Sequence, residues 1–294
     1  MPYTLHKDHT TVNFNYGNNG RDYIVIHYTG NETDTAKANA NYFRSANRDA
    51  SAHYFVDDTT VYEVVAPENT AWSVGVNFGY NNLFGKCNNW NSISIEMCSN
   101  NGRVTEATVN NTISLTKELM KKYNIPASRV VRHFDVCSKS CPGWLGWIGS
   151  NDYLWKNFKS RLSDIKVVTK KKLSMYSNAY NDPVGKSSKV VAVIPKGTTV
   201  KWLYDDNTGW SYIEYNGKKG YCVNSRLKKS GLSKYPKKTV AKGTEYKRVV
   251  GSTIKYTKKL KGNTKFTLLN YIEKGKYQGY YYCTRIGRYY YIKF

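Results

Sequence analysis

Between Arg132 and Gly143 the chain reads RHFDVCSKSCPG, which puts one histidine, two thiols and a lysine within twelve residues. Imidazole and thiolate are the ligands zinc favours in a tetrahedral shell, and a catalytic zinc uses three protein ligands while a fourth position stays open. His133 and Cys141 offer one of each. His27, near the end of the run DYIVIHY (22–28), is a spatially plausible third. Cys137 competes with Cys141, and His53 with His27. Spacing alone leaves two readings open: a metal centre, or two satisfied core histidines and a buried thiol.

Any such site needs elements to hold it. Asp22–Tyr28 is a short β-branched run that stops at Thr29-Gly30 and reads as a buried strand. A helix follows, capped by Thr33 or Asp34, with Ala36, Ala40 and Phe43 on one face. His53–Val56 and Val61–Val65 read as a hairpin across Asp57–Thr60. In Ser92–Cys98, Ile93, Ile95 and Met97 point one way and Ser94, Glu96 and Cys98 the other, which puts Glu96 on the less apolar face of a strand. Residues 108–123 carry Val109, Ile113, Leu115, Leu119, Met120 and Tyr123 at helical spacing and end before Pro126. A last helix is expected over 153–162. Strands and helices in this mixture imply an α/β domain, with a central mixed sheet flanked by helices.

Charge then divides the chain. Residues 1–165 hold 16 Lys and Arg against 15 Asp and Glu, whereas residues 166–294 hold 29 against 6. Seventeen of the 27 tyrosines also fall after residue 165, so the second half is built to meet an anionic polymer. Its short β-rich runs with Lys-Gly and Asn-Gly turns have the pattern of small barrels. Residues 194–223 can be laid over 260–293 as an internal repeat, with 228–238 (KKSGLSKYPKK) as the linker between the copies. Trp202, Tyr212 and Tyr221 are expected to fill a barrel core. No apolar run is long enough for a membrane span, and the polar N-terminus has no apolar stretch of a secretory signal. Six scattered cysteines do not make a disulfide framework in such a chain, which leaves ligand or bystander thiols.

The motifs IVIHYTG (24–30), SAHYFVDD (51–58), AWSVG (71–75), NSISIEM (91–97) and RHFDVCSKSCPG (132–143) stand in the order of one known family. Over roughly residues 20–145 the chain resembles the zinc-dependent N-acetylmuramoyl-L-alanine amidases of type 2, which include phage T-odd lysozyme and the peptidoglycan recognition proteins. The resemblance implies that His27, His133 and Cys141 bind Zn2+ and that Glu96 and Lys139 are the catalytic carboxylate and lysine. These types suit amide hydrolysis. Zinc polarises a carbonyl and brings the pKa of its water toward about 7. A carboxylate can carry the proton from water to the leaving amine, and a fixed ammonium can stabilise the developing oxyanion. Taken alone, the readings of Glu96 as a solvated strand residue and of Lys139 as a surface lysine in a basic loop are favoured. His53 is read as structural, because the family's ligand stands in the Val-Ile-His strand. One departure is Ser73, where many relatives have histidine; it bears on substrate contact and leaves the metal set intact.

Residues 167–229 resemble bacterial SH3-like cell-wall-binding modules through LSMY (173–176), IPKGTTV (194–200), GWSYIEYNGKKGYCV (209–223) and NSRL (224–227), and 239–294 looks like a second, divergent copy. The resemblance implies an amidase domain over 1–165 followed by modules over 166–229 and 239–294. The whole is similar to a phage endolysin of Gram-positive hosts, held in the host cytoplasm until holin-mediated release to the wall, with a bacterial autolysin as the alternative source. The partners expected are peptidoglycan and its anionic wall polymer, without nucleic acid and without membrane insertion. Two other classes compete. A non-catalytic peptidoglycan-recognition protein would keep the fold and typically replace Cys141, and a nucleic-acid-binding protein would use the basic half but has no recognition helix or finger pattern.

Overall fold

The computed structural model describes residues 3–75, 78–149, 151–178, 188–205, 209–228, 235–250, 253–286 and 288–294. The chain divides into two units, residues 1–162 with 273–278 and residues 163–272 with 279–294. In chain order the first contains β1 (Thr4–Lys7), β2 (Phe14–Asn15), β3 (Tyr23–Tyr28), α1 (Ala36–Ser45), β4 (Tyr54–Val56), β5 (Thr60–Glu63), β6 (Thr70–Ala71), β7 (Ser92–Met97), α2 (Glu106–Tyr123), β8 (Val130–Arg132), α3 (His133–Cys137) and α4 (Tyr153–Ser160). Six strands form one sheet in the order β1-β5-β4-β7-β3-β8, and β2 pairs with β6. Only the β4–β5 hairpin is antiparallel within the larger sheet; the remaining neighbours run parallel. This is the mixed sheet the alternating strands and helices imply.

The β-branched runs lie in the sheet interior, where both faces are covered. Ile24, Val25, Ile26, Ile93 and Ile95 have no exposure at all. α1 packs along β4 and β5, α2 along β4 and β7, and α3 against β3 and β8. The cap of α1 differs from the expected Thr33 or Asp34. Thr35 Oγ1 accepts the Ala38 N–H, while Asp34 turns away to accept the Ser99 N–H at 2.7 Å. α2 starts at its Thr105 cap and ends on Asn124 in the left-handed conformation. Its buried stripe includes Thr112 and Thr116, whose hydroxyls donate to carbonyls one turn back at 2.8 and 2.7 Å. Threonine fills an apolar surface there because its polar atom is satisfied inside the helix.

The 132–143 stretch begins with a short helix, α3. Arg132 opens it: the Arg132 N–H donates to Asp135 at 2.8 Å, and the guanidinium grips Asp135 at 2.7 Å and the Trp147 carbonyl at 2.6 Å. Trp155 stacks on Phe158 at 5.4 Å, and Phe158 is fully buried.

The second unit holds two antiparallel sheets. One contains β9 (Ile165–Thr169), β10 (Leu173–Tyr176), β11 (Val190–Ile194), β12 (Thr199–Asp205), β13 (Trp210–Tyr215), β14 (Lys218–Val223) and β15 (Leu227–Lys228) in the order β11-β10-β14-β13-β12-β9-β15. The other contains β16 (Lys237–Val240), β17 (Glu245–Val250), β18 (Thr253–Lys259), β19 (Thr264–Tyr271), β20 (Tyr281–Arg285) and β21 (Arg288–Ile292) in the order β16-β19-β20-β21-β17-β18. The two passes of the repeat form matching meanders, β12-β13-β14 and β19-β20-β21. Ile213 and Cys283 occupy equivalent positions with no exposure, as do Cys222 and Ile292. Most of the expected linker, 229–234, lies outside the described residues.

Trp202 is in the core at 3% exposure, but Tyr212 and Tyr221 are not. Strand alternation puts Ile213 and Cys222 inside, and the two tyrosines face each other across β13 and β14 with ring centroids 4.7 Å apart.

Phe158→Ala is expected to destabilise the first unit by about 3–5 kcal/mol, because it opens a cavity under Trp147 and Trp155. Chemical unfolding followed by tryptophan fluorescence measures it, and a loss below about 1 kcal/mol contradicts this packing.

Candidate metal centre

The centre forms where parallel strands end. His27 is the penultimate residue of β3, Glu96 the penultimate residue of β7, and His133 follows β8 directly. The register pairs His27 with Glu96, so the two side chains leave the sheet on the same face. Sites in open α/β sheets collect at these carboxyl ends. Cys141 returns to them through its own backbone: its carbonyl accepts the Phe134 N–H at 3.0 Å, and its N–H donates to the Lys139 carbonyl at 2.7 Å.

Among the described residues, one group of three has metal-ligand chemistry: one donor atom each from His27, His133 and Cys141, all within 4.8 Å of one another. The three residues are buried, at 2, 1 and 2% exposure. The two imidazole centroids are 4.7 Å apart. His133 Nε2 lies 2.9 Å from the Gly75 carbonyl, to which it donates its proton. That leaves His133 Nδ1 a buried acceptor without a partner, and His27 Nε2 is likewise unpartnered. A buried polar nitrogen left bare is costly. Two imidazoles and a thiol facing one point, with ring nitrogens unsatisfied, are a donor set that fits a divalent metal.

The electrostatics agree. Burial, helped by His133 and then Lys139, pulls His27 well below the ordinary histidine range. Burial also takes His133 down to about 4, with the Gly75 bond opposing and Lys139 assisting. Both rings are therefore neutral and able to donate a lone pair. Burial raises the Cys141 thiol, with Glu96 adding to the rise and the Tyr28 N–H opposing it. A thiolate there needs a cation beside it, and a metal supplies that charge.

Glu96 Oε1 lies 3.8 Å from His27 Nδ1, and its side chain is one-fifth exposed. Burial pushes its carboxyl up to about 7, against the pull of Lys139 and with a further rise from Asp34. Glu96 Oε2 has no hydrogen-bond partner. Lys139 is half-buried, its Nζ 5.0 Å above the Phe78 ring, and its charge acts on Glu96 and both histidines.

The competing residues sit elsewhere. His53 is buried in its own network: Nδ1 accepts the Ser94 N–H at 3.0 Å, and Nε2 lies 3.1 Å from the Asn69 carbonyl. Cys137 is buried within α3 and does not belong to the group. All six cysteines are buried and free. The Gly75 carbonyl and the Tyr28 N–H carry no sequence signal of their own, because each acts through the backbone.

Residues 17–144 match the N-acetylmuramoyl-L-alanine amidase family, and residues 185–228 match the bacterial SH3 domain. A probable N-acetylmuramoyl-L-alanine amidase of Bacillus licheniformis is 28% identical over 223 residues, covering 71% of this chain and 62% of that protein. The amidase CwlH of Bacillus subtilis (strain 168) is 34% identical over 122 residues, covering 41% of this chain and 46% of that protein. A solved mutant endolysin from Bacillus subtilis is 27% identical with a TM-score of 0.45, covering 55% of this chain and 99% of that one. The chain spans 62% and 61% of the length of the two Bacillus licheniformis amidases it matches. Its residues 17–144 are thus similar to an amidase domain and its residues 185–228 to a bacterial SH3 domain.

The lowered His133 pKa has a consequence for the metal-free chain. Its stabilising contribution is complete above the unfolded value of 6.5 and is lost as pH falls through about 4. The melting temperature is expected to drop across that window, and less steeply in His133→Gln; equal slopes in the two proteins contradict the assignment.

Proposed function

We propose that this chain is a zinc-dependent N-acetylmuramoyl-L-alanine amidase that cleaves the amide between N-acetylmuramic acid and L-alanine of peptidoglycan. The observation that carries the reading is the convergence of His27, His133 and Cys141 with a bare ring nitrogen on each histidine. Those three residues hold the zinc, which supplies Lewis acidity toward the scissile carbonyl and the attacking water. Glu96 accepts the proton of that water and returns it to the leaving amine. A carboxyl near 7 is suited to both directions at neutral pH. Lys139, whose charge already reaches Glu96 and the histidines, stabilises the negative charge that develops on the carbonyl oxygen.

The domain assignment follows the same reading: an amidase over 1–165, an SH3-like module over 166–229, and a second SH3-like module over 239–294. The matched meanders with equivalent core positions support the second copy. Both modules hold the chain on the wall of a Gram-positive cell, with their excess of lysine and arginine drawn to its anionic polymer. The enzyme then works as an endolysin works, from the cell side of the wall. No described helix is long and apolar enough to cross a membrane.

Digestion of purified peptidoglycan is expected to release stem peptides with a free L-alanine amino group, read by mass spectrometry, and a chelator abolishes the release. Cys141→Ser loses zinc and activity together. Glu96→Gln keeps stoichiometric zinc while turnover falls about 10²- to 10⁴-fold. A fully active Glu96→Gln enzyme removes Glu96 from the mechanism. Binding of the inactive Glu96→Gln chain to purified wall is expected to weaken as salt rises above about 0.15 M. Tighter binding to duplex DNA than to wall would favour the nucleic-acid class instead.

A further inference from the structure

Asn89 lies in a 3-10 turn, Asn89–Asn91, that runs directly into β7. Its neighbours close that turn without it. Asn88 Oδ1 accepts the Trp90 N–H at 2.9 Å, Asn91 Oδ1 accepts the Asn88 N–H at 2.9 Å, and Asn91 Nδ2 donates to the Lys86 carbonyl at 2.9 Å. The Asn89 side chain points to another segment. Its Oδ1 accepts two successive backbone donors, the Ser73 N–H at 3.0 Å and the Val74 N–H at 2.7 Å.

The next residue in that segment is Gly75, whose carbonyl accepts His133 Nε2–H at 2.9 Å. Gly75 is exposed, and a Cβ built on it meets nothing within 4 Å. Among the described residues, nothing packs where a side chain of residue 75 would stand. The two amides before it are held by Asn89, and the Val74 side chain is buried with Val25, Cys87, Val131 and Val136. Among the described residues, the backbone leading into that carbonyl is held by the Asn89 side chain together with the buried Val74.

We infer that Asn89 is a positioning residue for the metal centre: it fixes the Gly75 carbonyl, which holds His133 as the Nε2–H tautomer and turns Nδ1 toward Cys141 and His27. Partners one shell out from a metal-ligating histidine typically govern metal affinity by about 10- to 100-fold. The inference rests on the zinc reading for its consequence and on the hydrogen bonds alone for its geometry. Asn89 also ties the segment that orients one ligand to the strand that carries Glu96, so the two sides of the site are set by one turn.

The test compares the full chain with Asn89→Ala and Asn89→Asp. Zinc affinity is read by competition with a chromogenic chelator. The His133 tautomer is read by long-range ¹H–¹⁵N correlation of the imidazoles in the metal-free protein near neutral pH. The wild type is expected to show the Nε2–H form. Asn89→Ala is expected to show a mixture of tautomers and about tenfold weaker zinc. Asn89→Asp, which keeps an oxygen for both N–H groups, is expected to behave as the wild type. Unchanged tautomer and affinity in Asn89→Ala overturn the inference, and so does an Asp variant as impaired as the Ala variant. An Asn89→Ala chain that no longer folds overturns it in favour of a purely structural clamp. A wild type that takes up no zinc overturns the function proposed above, while the tautomer comparison still decides the role of Asn89.

Discussion

Two ring nitrogens buried beside a thiol without a hydrogen-bond partner are the constraint on which the rest of this domain depends. A folded protein seldom tolerates such atoms, since each forgoes its water and receives nothing in return. Here they occur together, on His27 and His133, around a cysteine as deeply buried as they are. Packing alone would have filled the place with apolar side chains, as it does a few residues away at Val25, Val131 and Val136. Polar donors stand here where neighbouring positions are apolar, which fits the cation proposed above.

Keeping those donors aimed at one point falls to parts of the fold that look unrelated to chemistry. Parallel pairing of β3 with β7 puts His27 and Glu96 side by side, and a slip of one residue would turn either to the opposite face. Arg132 starts α3 immediately after β8, so His133 emerges at the strand end. Backbone bonds from Phe134 and Lys139 then return Cys141 to it. Strands give the rigid positions and the loop brings in Cys141.

Much of this was legible in the sequence. The strict alternation of Ser92–Cys98 gave the correct face for Glu96, and the β-branched run ending in His27 gave its strand. The proposed ligands His27, His133 and Cys141 and the proposed catalytic pair Glu96 and Lys139 came from the resemblance, since spacing left a pair of core histidines equally open. What escaped was carried by backbone geometry or by polar atoms satisfied locally. The helix at His133 depends on Asp135 capping, α1 is capped by Thr35 because Asp34 is engaged with Ser99, and Thr112 and Thr116 are buried by bonding their own helix. Tyr212 and Tyr221 were misread by type, since size suggested core while the two-residue period of the strand turned them outward. The repeat's second copy is blurred at the turn where Asn216 has a left-handed φ of 48°, because Ile286 takes up the same φ in a residue type that seldom adopts it.

The central claim is a coordination shell, and X-ray absorption at the zinc edge of the purified, zinc-loaded chain examines that shell directly. One sulfur, two imidazole nitrogens and one light oxygen or nitrogen scatterer are predicted, with the sulfur missing from the spectrum of Cys141→Ser. A shell without sulfur in the unmodified chain, or one unchanged by that substitution, would contradict the account.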